Sequence, residues 1–206
     1  MEGGEKMKQF SNRYMLLYSL ALIMVSAIIL SLTAVTLKPR EEHNHRVEQQ
    51  MMILKTIGKT CTKSETSTLY NKYITEADFN GNIYYKYKCD ESEGLILPLR
   101  GTGLWGPIWG YLALDEQRYV IGAVFDHKSE TPGLGGEIAT DKFSARFVGK
   151  RIVDDNGNIK PIILKKNANK KSLYEVDAIS GGTMTSNGIT EMFETELKKY
   201  KDEIEN

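Results

Sequence analysis

The stretch IWGYLALDEQRYVIGAVFD, residues 108–126, contains two apolar runs separated by the polar tripeptide EQR. Runs of this length, rich in aromatic and β-branched residues, are typical of two strands joined in a hairpin. Upstream, NIYYKYKC and GLILPLRG flank the acidic link DESEG and predict another hairpin. Residues 151–164, RIVDDNGNIKPIIL, place an Asn-Gly turn signal between apolar runs and predict a third.

Helical spacing of apolar residues predicts three helices around these strands. Residues 41–58 predict an amphipathic helix that continues from the segment before it and ends at Gly58. Asp141 is expected to cap a short helix within residues 139–150, and the last helix is expected to begin near Asn187 or Gly188. The apolar faces of these two helices are Phe143, Phe147 and Val148, and Ile189, Met192, Phe193, Leu197, Tyr200 and Ile204. Hairpins with segregated helices predict an α+β domain with an antiparallel-rich sheet and flanking helices.

An apolar segment precedes this domain. Residues 14–37, YMLLYSLALIMVSAIILSLTAVTL, contain no charged side chain and are long enough to cross a hydrocarbon layer of ~30 Å as one helix. A cleaved signal peptide is the alternative, but its apolar region is shorter and ends in a small-residue cleavage site. Lys and Arg residues are nearly balanced on the two sides, so charge alone leaves the orientation open.

The composition excludes several function classes. Lys plus Arg equals Asp plus Glu at 27 each, and a neutral chain lacks the basic field that nucleic acid binding needs. The three histidines, His43, His45 and His127, form no metal-ligand pattern with the two cysteines, so no metal site is predicted. No motif supplies a nucleophile with a base and an orienting partner, so no catalytic residue is predicted.

Three glycine-rich segments remain as candidate binding elements. They are RGTGLWGPIWGYLALD (100–115), HKSETPGLGGE (127–137) and DAISGGT (177–183). Each could be an ordinary turn, a strand with core aromatics or a Ser/Thr-rich helix cap. Each could equally bring backbone close to a flat ligand or a phosphate, because glycine leaves room and a helix start offers unpaired N–H groups.

Taken together, the three segments and the apolar N-terminal segment resemble the NqrC family. Its members are membrane-anchored flavoproteins with an FMN-binding domain, and they belong to the bacterial Na⁺-translocating NADH:quinone oxidoreductase. The family motif is Asp, two variable residues, Ser or Thr, Gly, Ala and Thr. Here the motif is Asp177 to Thr183, with Gly182 in the place of the usual Ala.

The resemblance implies FMN bound covalently through a phosphoester to Thr183, which a dedicated flavin transferase attaches. Thr185 is the competing acceptor. By the same resemblance, the other residues expected at the cofactor are Asp177, Ser180, Gly181 and Gly182 in the motif, Thr185 just after it, and Leu104, Trp105, Glu130, Thr131, Leu134 and Gly135 in the other two segments.

The resemblance also implies a function and a location. FMN would relay electrons between redox centres of neighbouring membrane subunits, with the domain on the extracytoplasmic side of the bacterial inner membrane and membrane lipid around the anchor. That location would permit a disulfide between Cys61 and Cys89, which the sequence leaves open against two separate core thiols.

The chain is therefore expected to divide into a cytoplasmic leader (1–13), a transmembrane helix (14–37), a juxtamembrane helix and connection (38–82) and the FMN-binding domain (83–206). Two alternatives stay open. One is the paralogous FMN-carrying subunit of the ion-translocating ferredoxin:NAD⁺ oxidoreductase, which shares the covalent FMN motif. The other is a membrane-tethered scaffold without a cofactor.

Overall fold

The structure, a computed structural model, describes residues 11–89 and 92–205. Most of the predicted leader, residues 1–10, lies outside the described residues. The chain divides into two compact units, residues 1–46 and 47–206. The helices and strands are α1 (Asn12–Thr56), α2 (Thr66–Tyr73), β1 (Ile74–Phe79), β2 (Asn82–Cys89), β3 (Ser92–Thr102), β4 (Pro107–Asp115), β5 (Val120–His127), α3 (Asp141–Ser144), β6 (Ile163–Lys165), β7 (Glu175–Asp177), α4 (Thr183–Lys199) and α5 (Lys201–Glu205).

Helix α1 is 45 residues long and contains both the apolar segment and the amphipathic segment predicted to follow it. Pro39 lies inside it, just after the apolar run. The apolar part has the length and composition of a membrane-spanning helix. Its hydroxyl side chains bond to carbonyls of the preceding turn, as Ser19 does to Met15 at 2.9 Å and Ser26 to Leu22 at 2.8 Å. These polar groups therefore find partners within the helix itself.

Strands β1 to β5 form one antiparallel sheet in sequential order. Within each strand, successive side chains point to opposite faces of the sheet. On one face, Leu97 and Leu112 pack with α3 and α4; on the other, Ile96 and Tyr111 pack with the C-terminal part of α1 and with α2. The β2–β3 and β4–β5 hairpins confirm two predictions.

Three local predictions differ from the structure. Strand β1 was not predicted; it pairs with β2 across an Asn80-Gly81 turn in which both residues have positive φ. The third hairpin is reduced to a single bridge between Val153 and Ile159, and β6 pairs instead with β7, in parallel. Thr140, not Asp141, caps α3, because its Oγ1 accepts a hydrogen bond from the Phe143 N–H at 3.2 Å.

The apolar residues that were predicted for the helix within residues 139–150 and for the C-terminal helix are buried, with one exception. Phe143, Phe147 and Phe193 are buried together around Phe125 of β5. Val148 is exposed. Cys61 and Cys89 are free thiols, and Cys61 Sγ lies 3.5 Å from Thr66 Oγ1.

Helix α4 lies against β3 at Gly188, inside the helix. A Cβ at this residue would collide with the Thr102 carbonyl oxygen at the end of β3. The absence of a side chain therefore sets the distance between α4 and the β3–β4 turn.

Gly188→Ala is expected to lower the melting temperature although alanine favours helices over glycine by ~1 kcal/mol. The added methyl overpacks the α4–β3 contact, which typically costs about 1–3 kcal/mol. Thermal unfolding followed by circular dichroism measures the change. The adjacent exposed residue provides the control, since Asn187→Ala should leave the melting temperature nearly unchanged. Equal melting curves for the two variants would contradict this account of the packing.

Candidate functional site

The three glycine-rich segments meet at one end of the sheet. The β3–β4 turn closes through the Gly103 N–H, which donates to the Gly106 carbonyl at 2.8 Å. The loop after β5 starts at the same end, and its Lys128 N–H donates to the Pro107 carbonyl at 3.1 Å. The motif segment leads from β7 into α4, which packs on β3. The sequence alone did not predict that these loops share one location.

Glu130, in the loop after β5, connects this loop to the β3–β4 turn and to the first turn of α4. Its Oε1 accepts a hydrogen bond from the Trp105 backbone N–H at 2.8 Å, and its Oε2 accepts one from the Thr185 hydroxyl at 2.6 Å. Glu130 is 4% exposed and Thr185 is 1% exposed. The Glu130 N–H donates to His127 Nδ1 at 3.1 Å. The carboxylate predicted to lie at the cofactor is therefore a buried link between loops.

Gly135 allows this close approach. A Cβ at Gly135 would collide with Glu130 Oε2 and with Thr185 Oγ1. The preceding turn explains how the chain reaches this place, since the N–H groups of Leu134 and Gly136 donate to the Thr131 carbonyl at 3.2 and 2.9 Å. Pro132 is the second residue of this turn and Gly133 is the third. Gly133 has a φ of 74°, which glycine adopts without strain. Thr131 thus contributes its backbone to the loop, while its side chain is exposed.

The motif forms a tight turn followed directly by a helix. The Gly182 N–H donates to the Ile179 carbonyl at 3.1 Å, and Gly181 has a φ of 74°. Leu134 lies over this turn, because a Cβ at Gly181 would be 2.6 Å from Leu134 Cδ2. Helix α4 begins at Thr183, four or five residues earlier than predicted.

The start of α4 leaves backbone donors open. Its first intrahelical bond runs from the Ser186 N–H to the Gly182 carbonyl at 2.9 Å. The N–H groups of residues 183–185 precede that bond and have no acceptor within the helix. Gly182 occupies the N-cap without a side-chain hydrogen bond. The first turn therefore has the donors and the partial positive charge that attract a phosphate.

The four hydroxyl residues at residues 180–186 differ in their exposure to solvent. Ser180 and Thr183 are exposed. Thr185 is buried and donates to Glu130, and Ser186 is buried with its Oγ accepting from the Ile179 N–H at 3.0 Å. Thr183 is therefore accessible to a modifying enzyme, while the hydroxyl of the competing Thr185 is not.

Large apolar side chains around these loops are exposed. Trp105 is 63% exposed and Leu134 is 44% exposed; Leu104 and Met184 are also exposed. Met184 was not among the predicted residues, although it directly follows Thr183 in the sequence. Apolar surface beside open N–H donors suits a ligand with a flat aromatic part and an anionic part.

Asp177 lies at the end of β7 with its polar groups engaged. Its Oδ1 accepts from the Ala168 N–H at 2.9 Å, and its carbonyl accepts from Arg146 Nη1 at 2.7 Å. Arg146 was not predicted from the sequence. Both contacts hold Asp177 at the end of β7, and they therefore fix the point at which the motif turn begins.

Gly182 differs from the alanine of the family motif, and the structure shows what fills that space. A Cβ at Gly182 would be 2.9 Å from Ile179 Cγ2 and 3.3 Å from the Gly135 nitrogen. The β-branch of buried Ile179 therefore occupies the volume that an alanine methyl would need.

The residues present fit FMN. The open N–H groups of α4 and the exposed Thr183 suit its phosphate, and the exposed apolar side chains suit its ring. Among the described residues, no group of three or more histidine, cysteine, aspartate or glutamate side chains could hold a metal ion.

Comparison with known proteins decides the family. Residues 103–198 match the FMN-binding domain family. A crystal structure of the C subunit of Na⁺-translocating NADH-quinone reductase from Parabacteroides distasonis superposes with a TM-score of 0.72 and 32% identity, covering 80% of this chain and 94% of that one. The chain belongs to the NqrC family.

Two further relatives have the same description. The NqrC protein from Vibrio anguillarum is 36% identical over 124 residues, which is 60% of this chain and 48% of the relative. The one from Pseudomonas aeruginosa is 28% identical, with 93% of each chain covered. The match to the Vibrio protein thus spans about half of that relative's length. These comparisons favour NqrC over the paralogous ferredoxin-linked subunit, and they favour an FMN-binding domain over a scaffold without a cofactor.

Gly182→Ala is expected to destabilise the motif turn, because the new methyl meets the Ile179 β-branch. The melting temperature of the variant should fall, as overpacking typically costs about 1–3 kcal/mol. Ile179→Leu moves the branch away from Cβ, so the double variant should recover most of the loss. Additive effects of the two substitutions in a double-mutant cycle would show that these residues do not compete for the same space.

Proposed function

We propose that this chain is the FMN-carrying electron-transfer subunit of a Na⁺-translocating NADH-quinone reductase. Family membership and the fit of the three loops to FMN support the proposal. When bound, FMN supplies the electron transfer itself. The chain's own residues hold and orient the cofactor, and none of them is required as a nucleophile or base during turnover.

The proposed attachment point is Thr183, joined to FMN through a phosphoester. The single observation that carries this assignment is that Thr183 is exposed at the first residue of α4, while Thr185 is buried and bonded to Glu130. Thr183 Oγ1 would form the new bond to phosphorus and release its proton. The bond from phosphorus to the leaving nucleotide of a flavin dinucleotide donor would break, and no electrons would be transferred.

The first turn of α4 would hold the resulting phosphodiester. Its open N–H groups and the helix dipole favour the one negative charge that this group retains. Leu104, Trp105, Leu134 and Met184 offer the apolar surface for the ring. A tether of this kind prevents loss of the cofactor between successive electron transfers.

Helix α1 would anchor the protein in the bacterial inner membrane through residues 14–37, with lipid around it. Residues 14–37 contain no charged side chain, and their Ser19 and Ser26 hydroxyls bond within the helix. Both features suit a medium without water. The FMN-binding domain, predicted to start at residue 83, would lie on the extracytoplasmic side, and residues 1–13 in the cytoplasm. The family implies this sidedness.

The proposed partners are the other membrane subunits of the complex and, during maturation, a flavin transferase. The transferase would need access to the motif turn, where Ser180 and Thr183 are exposed to solvent. The exposed apolar side chains at the site would also face the neighbouring subunit with which electrons are exchanged.

The full chain, expressed in membranes together with a flavin transferase, should give a fluorescent band under ultraviolet light after denaturing electrophoresis. Thr183→Ala should abolish the fluorescence, because the acceptor oxygen is removed. Thr195→Ala is the matched control on an exposed hydroxyl further along α4, outside the motif, and should keep the fluorescence. A dark wild-type band would contradict covalent attachment, and a fluorescent Thr183→Ala band would show that another residue is the acceptor.

A further inference from the structure

We propose that Glu130 is the positioning residue for flavin attachment and that it makes Thr183, rather than Thr185, the acceptor. This inference rests on the proposed attachment to Thr183 and adds the residue that controls it. Glu130 would act through Thr185 and Trp105, without touching the cofactor.

The carboxylate spans the site between two fixed points. One oxygen holds the Trp105 N–H in the β3–β4 turn, and the other holds the Thr185 hydroxyl in the first turn of α4. The loop after β5 supplies Glu130 itself, so one side chain sets the relative position of all three loops.

The surroundings of the carboxylate leave it little freedom. Gly103 and Gly135 press against its two oxygens so closely that a Cβ at either residue would collide with them. Both hydrogen-bond donors are uncharged. A buried acceptor that loses one of its partners incurs the cost of desolvation without compensation. Glu130 therefore strongly favours the arrangement in which both bonds are present.

The bond to Thr185 holds the first turn of α4 in the orientation that the buried residues Ile189 and Met192 set further along the helix. Thr183 and Thr185 are two residues apart in a helix, so their side chains point in directions about 200° apart. With Thr185 held inward by Glu130, Thr183 is directed outward to solvent. Loss of the bond would free the Thr185 hydroxyl and would let the first turn of α4 fray, because its glycine N-cap provides no side-chain hydrogen bond.

The test is the kinetics of flavin transfer to purified, folded apoprotein of the full chain in detergent, at varied protein concentration. The variants are Glu130→Ala, which removes both bonds, and Thr185→Val, which keeps the shape and removes one donor. Thr185→Ser retains the donor and serves as the conservative rescue. Glu130→Gln retains length, and its amide can bond to both partners. Glu137→Gln, in the same loop, is the matched control.

We expect kcat of the transferase to fall by about tenfold or more for Glu130→Ala and Thr185→Val, in line with the loss of a hydrogen bond to a charged group. KM for the protein substrate should stay unchanged, because Glu130 and Thr185 are both buried and make no contact with the transferase. Thr185→Ser, Glu130→Gln and Glu137→Gln should remain within about twofold of wild type, since each keeps the two bonds.

Wild-type kcat in Thr185→Val would overturn the inference, even if Glu130→Ala fails to fold. A rise in KM with unchanged kcat would overturn it as well, because that is the effect of a smaller folded fraction. A wild-type chain that accepts no flavin would instead refute the proposed attachment itself. The two proposals can therefore fail separately.

Discussion

The hydrogen bonds of one buried carboxylate hold the candidate site together. Glu130 accepts from a backbone N–H in the β3–β4 turn and from a hydroxyl in the first turn of α4. The loops that carry these groups are 25 and 55 residues away from Glu130 in the sequence. Without this link, the sheet would still present three glycine-rich loops, but the first turn of α4 would lose the hydrogen bond that holds it to the loop after β5.

Glycines make this arrangement sterically accessible. Gly135 lets the loop after β5 lie against Glu130 and Thr185, and Gly188 lets α4 approach the end of β3. The composition that drew attention to these segments thus has a packing explanation as well as a ligand-binding one. The two explanations concern different residues: Gly135 and Gly188 are buried in packing contacts, whereas the open N–H groups that suit a phosphate are those of residues 183–185.

Much of the fold could be predicted from local pattern. The β2–β3 and β4–β5 hairpins were predictable because both strands of each pair are continuous apolar or alternating runs. Local pattern does not predict strand β1 because half of ITEADF is polar, and only the Asn80-Gly81 turn signal after it indicates a hairpin. The β6–β7 pairing could not be predicted, since a parallel contact between two short segments depends on the surrounding core rather than on a local turn.

The site was less predictable from local pattern than the fold. The start of α4 was placed too late because SGGTMTS has the composition of a loop, while the bond from Thr185 to Glu130 and the contact at Gly188 hold it in a helix. The family resemblance supplied the names of most site residues. It did not distinguish exposed residues such as Thr183 from buried ones such as Glu130, which depends on tertiary contacts.

Tandem mass spectrometry of the peptide that contains residues 177–198, from the mature membrane-expressed protein, tests the central claim most directly. The account predicts riboflavin phosphate bonded to Thr183, with Ser180, Thr185 and Ser186 unmodified. An unmodified peptide, or a flavin on Thr185, would contradict the assignment of an exposed acceptor at the first residue of α4.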